Sequence, residues 1–190
     1  MFRHMCWSRV VVRLVALVAV LVLACPAADA QVKPFKITGG GTIDYIPLVD
    51  HVPVFHWAVG NATHMGQYYC EGMVQLLGFT SPNTADFSSA APCVFSAANG
   101  DKLAFTYGDV NNGAHDPGFV TLHDAGGGMV FTVWVAEFNP VPELCTGRFA
   151  DVVDGSFIMT AMSEPFVLGA HDPVGYTWSG EGWIEFSSKN

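Results

Sequence analysis

Two residues combine types and positions that could support acid–base chemistry on an anion. His64 follows Thr63 at the predicted start of a strand, and Arg148 lies in a predicted turn before another strand. A histidine exchanges a proton near neutral pH, and an arginine can hold an anionic group. The alternative is that these residues have purely structural roles. Thr63 and His64 would then satisfy backbone groups at the strand start, while Arg148 neutralises a carboxylate such as Asp101 or Asp151.

Glu71 is a further catalytic candidate, because an inward-pointing carboxylate in a hollow barrel could act as an acid or a base. Glu137 and Glu164 could pair with it like glycosidase carboxylates, but a sequence does not define their separation. The chain lacks a Gly-x-Ser-x-Gly elbow, a Walker loop, a dinucleotide-binding motif and a His-Glu-x-x-His helix. We therefore assign no catalytic residue firmly and expect no cofactor.

The segment 109–116 contains candidate metal ligands, namely Asp109, Asn111 and Asp116. Oxygen-bearing side chains near a glycine are typical of calcium loops, since hard cations prefer oxygen ligands. The twelve-residue calcium pattern is not completed, because Gly113 and Val120 occupy positions that require acidic residues. The pattern favours a polar surface loop, with a metal site as the alternative.

The predicted mature chain contains an odd number of cysteines. Of five, Cys6 and Cys25 precede residue 31, and Cys70, Cys93 and Cys145 follow it. Cys70 and Cys93 lie toward the ends of neighbouring predicted strands, so we expect them to form a disulfide and leave Cys145 free. The alternative is that all three are small buried hydrophobic side chains.

Residues 1–30 have the pattern of a secretory signal peptide. Arginines precede an apolar run at 14–25, and small residues follow at 26–30. The run is shorter than the roughly 18 to 20 residues that span a bilayer. We predict cleavage after Ala30 and a secreted, periplasmic or cell-envelope protein. A lipoprotein tethered through Cys25 is the alternative.

The charge balance argues against nucleic acid as a partner. The chain is 51% hydrophobic and 13% charged, with a net charge of −9. From residue 31 onward, 5 basic residues stand against 16 acidic ones. Phosphate binding needs clustered lysine and arginine, which this composition does not supply.

The elements that position these residues are predicted to be short antiparallel strands. The 20 glycines and 11 prolines separate short runs rich in β-branched and aromatic residues. No linker divides residues 31–190, so one all-β domain is expected. We favour a closed, mostly up-and-down barrel of about eight strands over a sandwich, because lysine-poor strands protect open edges poorly. The predicted strands are 35–45, 52–59, 63–77, 93–98, 102–108, 118–123, 129–138, 156–162 and 177–187.

Two predicted strands carry further information. In the last one, Tyr176 and Trp178 share one face with Gly180 and Gly182, which predicts an inward face where the barrel curves sharply. The strand 129–138 is apolar on both faces, which favours a covering layer or a second subunit. A two-residue type I′ hairpin is predicted at Asn99-Gly100, and a glycine turn at 125–128.

Three motifs resemble those of a widespread set of exported bacterial β-barrel proteins. They are Ala-Thr-His-x-Gly at 62–66, Ala-Asn-Gly-Asp at 98–101 and Thr-Gly-Arg-Phe at 146–149, and a closing Gly-Trp-Ile strand follows at 182–184. That set is similar in architecture to the calycin-like barrels of allene oxide cyclase and dirigent proteins. Here Leu144-Cys145 stands where Gly-Gly is usual, and Met65 replaces Leu.

We accordingly predict an exported, non-enzymatic barrel that binds a small apolar ligand or a partner surface. One alternative is an isomerase or cyclase of the allene oxide cyclase type, which the resemblance suggests. The other is a structural envelope protein that forms homo-oligomers through the strand 129–138.

Overall fold

The computed structural model describes residues 30–188, which form a closed antiparallel β-barrel. The predicted leader and the alternative lipid site at Cys25 lie outside the described residues. No α-helix occurs between residues 30 and 188. The strands are β1 (Gln31–Ile43), β2 (Val54–Ala62), β3 (Gly66–Ser81), β4 (Thr84–Ala97), β5 (Lys102–Tyr107), β6 (Gly118–Gly126), β7 (Met129–Pro140), β8 (Val152–Ser163), β9 (Phe166–Val167) and β10 (Val174–Phe186).

The barrel has eight positions, as the sequence predicts. Neighbouring strands follow the order β3, β2, β1, β10, β8, β7, and β4 closes the ring by pairing with β3. The remaining position, between β4 and β7, is shared by two short strands. β5 pairs with both at one end, and β6 pairs with both at the other. Every described strand of the ring therefore has a neighbour on both sides, which protects edges that lysine-poor strands would expose.

Alternation of side chains along each strand separates the interior from the outer surface. In β3, Tyr68, Cys70 and Val74 are buried, whereas Tyr69 and Glu71 are exposed. The predicted inward face of β10 is confirmed for Trp178 and Ile184, which are buried. This period of two follows from the geometry of a pleated strand.

One end of the barrel, which we call the packed end, is filled by aromatic rings. Phe35 and Phe157 have ring centroids 5.3 Å apart, and Phe105 lies 5.0 Å from Phe157. Gly180 and Gly182 make room for this cluster. A Cβ on Gly182 would collide with the Ser156 backbone oxygen, and one on Gly180 would lie 2.8 Å from the Phe157 ring. The glycines let the strands approach where no side chain fits.

The sequence prediction missed the first half of β4. Residues 84–92 include Ser88, Ser89 and Pro92, which have low strand propensity. The segment still pairs with β3 through several register shifts, beside which a proline is tolerated. This segment is therefore a strand because closure of the barrel pairs it with β3, although its local strand propensity is low.

The turn at Asn99-Gly100 is a hairpin, but it is not type I′. Gly100 has φ of 87° whereas Asn99 does not have a positive φ, and Gly100 N–H donates to the Ala97 carbonyl at 2.9 Å. This pattern belongs to a longer loop that ends in a left-handed glycine. The two-residue turn with two positive φ angles occurs instead at Gly127 and Gly128, with φ of 63° and 81°.

Within residues 30–188, no helix has the length and apolar character needed to cross a membrane.

Candidate functional site

The half of the barrel opposite the packed end contains a cavity of about 70 Å³. We call this half the cavity end. Its walls come from eight strands and from the loop between β1 and β2, and almost all of the surface is apolar. The lining residues are Ile43, Ile46, His56, Cys70, Val74, Phe87, Cys93, Tyr107, Trp134, Phe138, Met159, Ala161, Ser163, Tyr176 and Trp178.

A polar trio stands in the wall of this cavity. His56 in β2 lies between two phenols: its Nε2 is 3.0 Å from the Tyr107 hydroxyl, and its Nδ1 is 3.1 Å from the Tyr176 hydroxyl. Each hydroxyl also lies beside a backbone carbonyl, Tyr107 3.1 Å from Met73 and Tyr176 3.2 Å from Trp57. A neutral imidazole donates through one nitrogen only, so one hydroxyl donates its proton to the ring and the other donates to its carbonyl. The polar atoms of the trio therefore face one another and the backbone, which leaves mainly the ring surfaces toward the cavity.

Burial keeps the trio uncharged at neutral pH. It lowers the pKa of His56 from 6.5 to about 4, because the imidazolium form loses its hydration inside the barrel. Burial also raises the pKa of Tyr107 and of Tyr176, since the phenolate form is disfavoured there. Among the described residues, no ionised side chain lines the cavity at pH 7.

Two thiols line the same cavity. Cys70 in β3 and Cys93 in β4 are each 1% exposed. The predicted disulfide is not formed in the structure, where both cysteines are free. Their side chains adjoin, however, and the neighbouring Cys70 thiol together with burial raises the pKa of Cys93.

The loop between β1 and β2 supplies part of the cavity wall. Ile46 is 6% exposed and contributes to the lining. Two hydrogen bonds anchor the loop: Asp44 N–H donates to the Phe55 carbonyl at 3.1 Å, and His51 N–H to the Leu76 carbonyl at 2.8 Å. Ile46 is thus a side chain whose displacement would widen the cavity.

His64, the predicted acid or base, and Arg148, the predicted anion-binding residue, do meet, but at the packed end. Arg148 Nη1 donates to the His64 carbonyl at 3.0 Å, and its Nε donates to the Asp101 carboxylate at 2.9 Å. The His64 ring lies 3.0 Å from the Pro34 carbonyl. The Arg148 guanidinium therefore donates to groups of the protein itself, as expected if this arginine has a structural role. The three motifs of the resemblance come together here, where they close the barrel end.

Glu71 points away from the cavity. Its side chain lies on the outer face of β3 and accepts a hydrogen bond from the Tyr69 hydroxyl at 2.6 Å. The condition that would favour a cyclase, with His64 or Glu71 directed into an open cavity, is therefore not met.

The candidate metal loop is held by its own amides. Asp109 caps a short 3-10 turn, accepting from Asn111 N–H at 2.9 Å and from the Asn112 side chain at 3.0 Å. Asp116 is exposed in the following segment. Across residues 30–188, no three histidine, cysteine or acidic side chains converge in a way that could hold a metal ion.

A buried carboxylate on the barrel wall secures the same loop. Glu137 accepts from the His115 backbone N–H at 2.7 Å, from its ring at 2.8 Å and from the Ser156 hydroxyl at 2.5 Å. Burial raises the pKa of Glu137, but these hydrogen bonds outweigh it and hold that pKa below its ordinary value. The three groups are not a nucleophile triad, because both Ser156 and His115 bind the carboxylate and not each other.

The outward side of β7 is apolar, as predicted. Val133 and Val135 face outward beside Met162 and Phe119, which are 52% and 43% exposed. The homo-oligomer interface assigned to this strand stays a prediction.

No protein-family model, curated protein or solved structure matches this chain. The resemblance to the exported bacterial barrels and to allene oxide cyclase therefore stays a prediction. The function has to be inferred from the barrel and its cavity.

Sequence reasoning missed the trio of His56, Tyr107 and Tyr176, although it placed Tyr176 on an inward face. The available signal was the alternation of inward and outward side chains along β2. His56 lies two residues from both Val54 and Ala58, which are both buried. This alternation predicts only whether a side chain points inward. Which partners it meets there depends on which strands close the barrel.

Proposed function

We propose that this protein is an exported, non-enzymatic β-barrel that binds a small, uncharged, apolar molecule at its cavity end. The observation that carries the proposal is the cavity of about 70 Å³ with an almost wholly apolar wall. Export rests on the signal-peptide pattern of residues 1–30. The absence of a catalytic motif in the sequence favours binding over catalysis.

The wall chemistry selects against charged ligands. An ionised ligand would lose its hydration without meeting a counter-charge, because the described cavity wall holds no ionised side chain at neutral pH. Aromatic rings are prominent in the lining, with Trp134 and Phe87 4.8 Å apart and Tyr107 and Phe138 4.6 Å apart. Such rings offer large contact areas to an apolar guest.

The volume sets the scale of the ligand. An apolar cavity of about 150 Å³ accepts benzene or xenon, whereas this one measures about 70 Å³. Xenon is therefore the better match for the cavity as it stands. A ligand the size of benzene requires Ile46 or Met159 to move, and methionine adapts readily because its side chain is flexible.

The test is xenon binding measured by ¹²⁹Xe NMR on the purified protein. We expect a saturable shift in the wild type and its loss in Ala161→Leu. Ala161 lies in register with both Trp134 and Trp178, so a larger side chain there fills the cavity. Thr160→Leu is the matched control, because Thr160 is the adjacent residue of the same strand and is exposed on the outer surface.

A second variant covers the case in which Ala161→Leu does not fold. Ile46→Ala enlarges the cavity, so we expect benzene to raise its melting temperature more than that of the wild type. Benzoate, a charged analogue of benzene, should raise neither. If xenon shifts are linear in concentration in the wild type, or persist in folded Ala161→Leu, ligand binding in this cavity is refuted.

A further inference from the structure

The two cavity thiols are placed to react with each other. Cys70 and Cys93 lie on adjacent strands, both with inward side chains. Cys70 pairs with Phe95, and Cys93 lies two positions from Phe95 on the same face of β4. The pairing register shifts between Glu71 and Met73, so the ladder is irregular beside these cysteines.

A glycine at this irregularity lets the sulfur of Cys93 approach β3. A Cβ on Gly72 would lie 3.1 Å from Cys93 Sγ and 2.7 Å from His56 Nε2. The bare α-carbon of Gly72 thus leaves space that the thiol and the imidazole share. The neighbouring Cys70 thiol, together with burial, raises the pKa of the Cys93 thiol.

Cys145 is not part of this arrangement. Its Sγ donates to the Val141 carbonyl at 3.4 Å, in the turn that precedes β8. It does not line the cavity. Of the three pairings that three cysteines allow, the fold brings together Cys70 with Cys93.

We propose that Cys70 and Cys93 are a redox pair that closes to a disulfide when the protein meets a disulfide oxidant such as oxidised glutathione. One thiolate attacks the glutathione disulfide and releases one glutathione thiol. The second cysteine thiolate then attacks the mixed disulfide and releases the other. Two cysteine thiols lose two protons and two electrons in total, and one glutathione disulfide becomes two thiols.

The bond ties β3 to β4 and closes the loop that runs from Cys70 to Cys93. A link of this kind constrains the unfolded chain and so raises the melting temperature. Burial of both thiols makes attack slow in the folded protein, because the thiolate form is disfavoured there. The bond therefore forms most readily during folding. This inference is independent of ligand binding.

The experiment is refolding of the purified protein in glutathione buffers of increasing oxidised fraction, followed by trypsin digestion without reductant. No lysine or arginine lies between Lys36 and Lys102, so one peptide carries both Cys70 and Cys93, and Cys145 falls in another. We expect the first peptide to lose the mass of two hydrogen atoms. The Cys145 peptide should keep a free thiol.

Matched variants identify the bond. Cys145→Ser should keep the mass loss and the higher melting temperature in oxidised buffer, and both should disappear on adding dithiothreitol. Cys93→Ser should show neither effect. The proposal is overturned if the refolded monomer keeps both thiols free at the most oxidising ratio. It is also overturned if Cys145 supplies one half of the bond.

Discussion

Acidification should destabilise this protein through His56. Burial lowers the pKa of His56 from 6.5 to about 4, so the folded state keeps the imidazole neutral in a range where the unfolded chain protonates it. Between those two values the unfolded state binds more protons, and the free energy of unfolding therefore falls as the pH falls. The contribution is fully present above about pH 6.5 and is lost as the pH drops through about 4.

The size of the effect follows from the same two values. Each pH unit between them is worth about 1.4 kcal/mol, so the loss attributable to His56 between pH 7 and pH 4 is about 3 kcal/mol. This figure is an upper limit, because His56 is only half-buried and water still solvates part of its charged form. A typical domain has a stability of about 5 to 15 kcal/mol, so the effect is a large fraction of the total.

The informative variant is His56→Gln. An amide offers one donor and one acceptor to the hydroxyls of Tyr107 and Tyr176 but does not titrate. Urea unfolding at pH 7 and at pH 4 should show the wild type losing up to about 3 kcal/mol more than the variant. Carboxylates titrate in both proteins, so their contribution cancels in this difference.

His51→Asn is the control, because His51 is an exposed histidine with φ of 59°, a conformation that asparagine tolerates. Its pH dependence should match that of the wild type. Equal losses of stability in wild type and His56→Gln would refute the reasoning. So would an NMR titration in which the His56 ring protonates near pH 6.5 in the folded protein.

Three further outcomes are expected. Arg148→Ala should lower the melting temperature slightly and leave xenon binding unchanged, because this side chain closes the packed end; weakened xenon binding would contradict that placement. Glu137→Gln should return the pKa of His115, which the hydrogen bond and charge of this carboxylate raise, toward its ordinary value in an NMR titration. Gly41→Ala should cost about 3 kcal/mol or more in urea unfolding, because its Cβ would collide with a backbone oxygen of β2. Gly40→Ala, whose nearest contact is 3.1 Å, should cost clearly less.

The barrel could be predicted because its evidence is local. Alternation in β10 and the glycines at Gly180 and Gly182 indicate an inward face, and turn residues mark the strand ends. Residues 84–92 escaped prediction because serine and proline have low strand propensity, and only pairing with β3 makes them a strand. The turn at Gly100 was predicted as a hairpin of the wrong type, since its conformation depends on how the flanking strands are joined.

The candidate site was harder to predict, because its residues are distant in the sequence. His64, Arg148 and Asp101 were singled out by motif, and they do come together, but they close the packed end. His56 and Tyr176 are 120 residues apart and carry no motif. Closure of the ring brings them together.

By itself, the sequence determined the class of the fold, the acidic charge and the absence of a familiar catalytic motif, since these depend on composition and short-range pattern. Only the tertiary structure decided that one end of the barrel is filled and the other hollow. The cause is the identity of the side chains that meet inside. Phe35, Phe105 and Phe157 fill the packed end. At the cavity end, Ala161 is too small to fill the space beside Trp134 and Trp178.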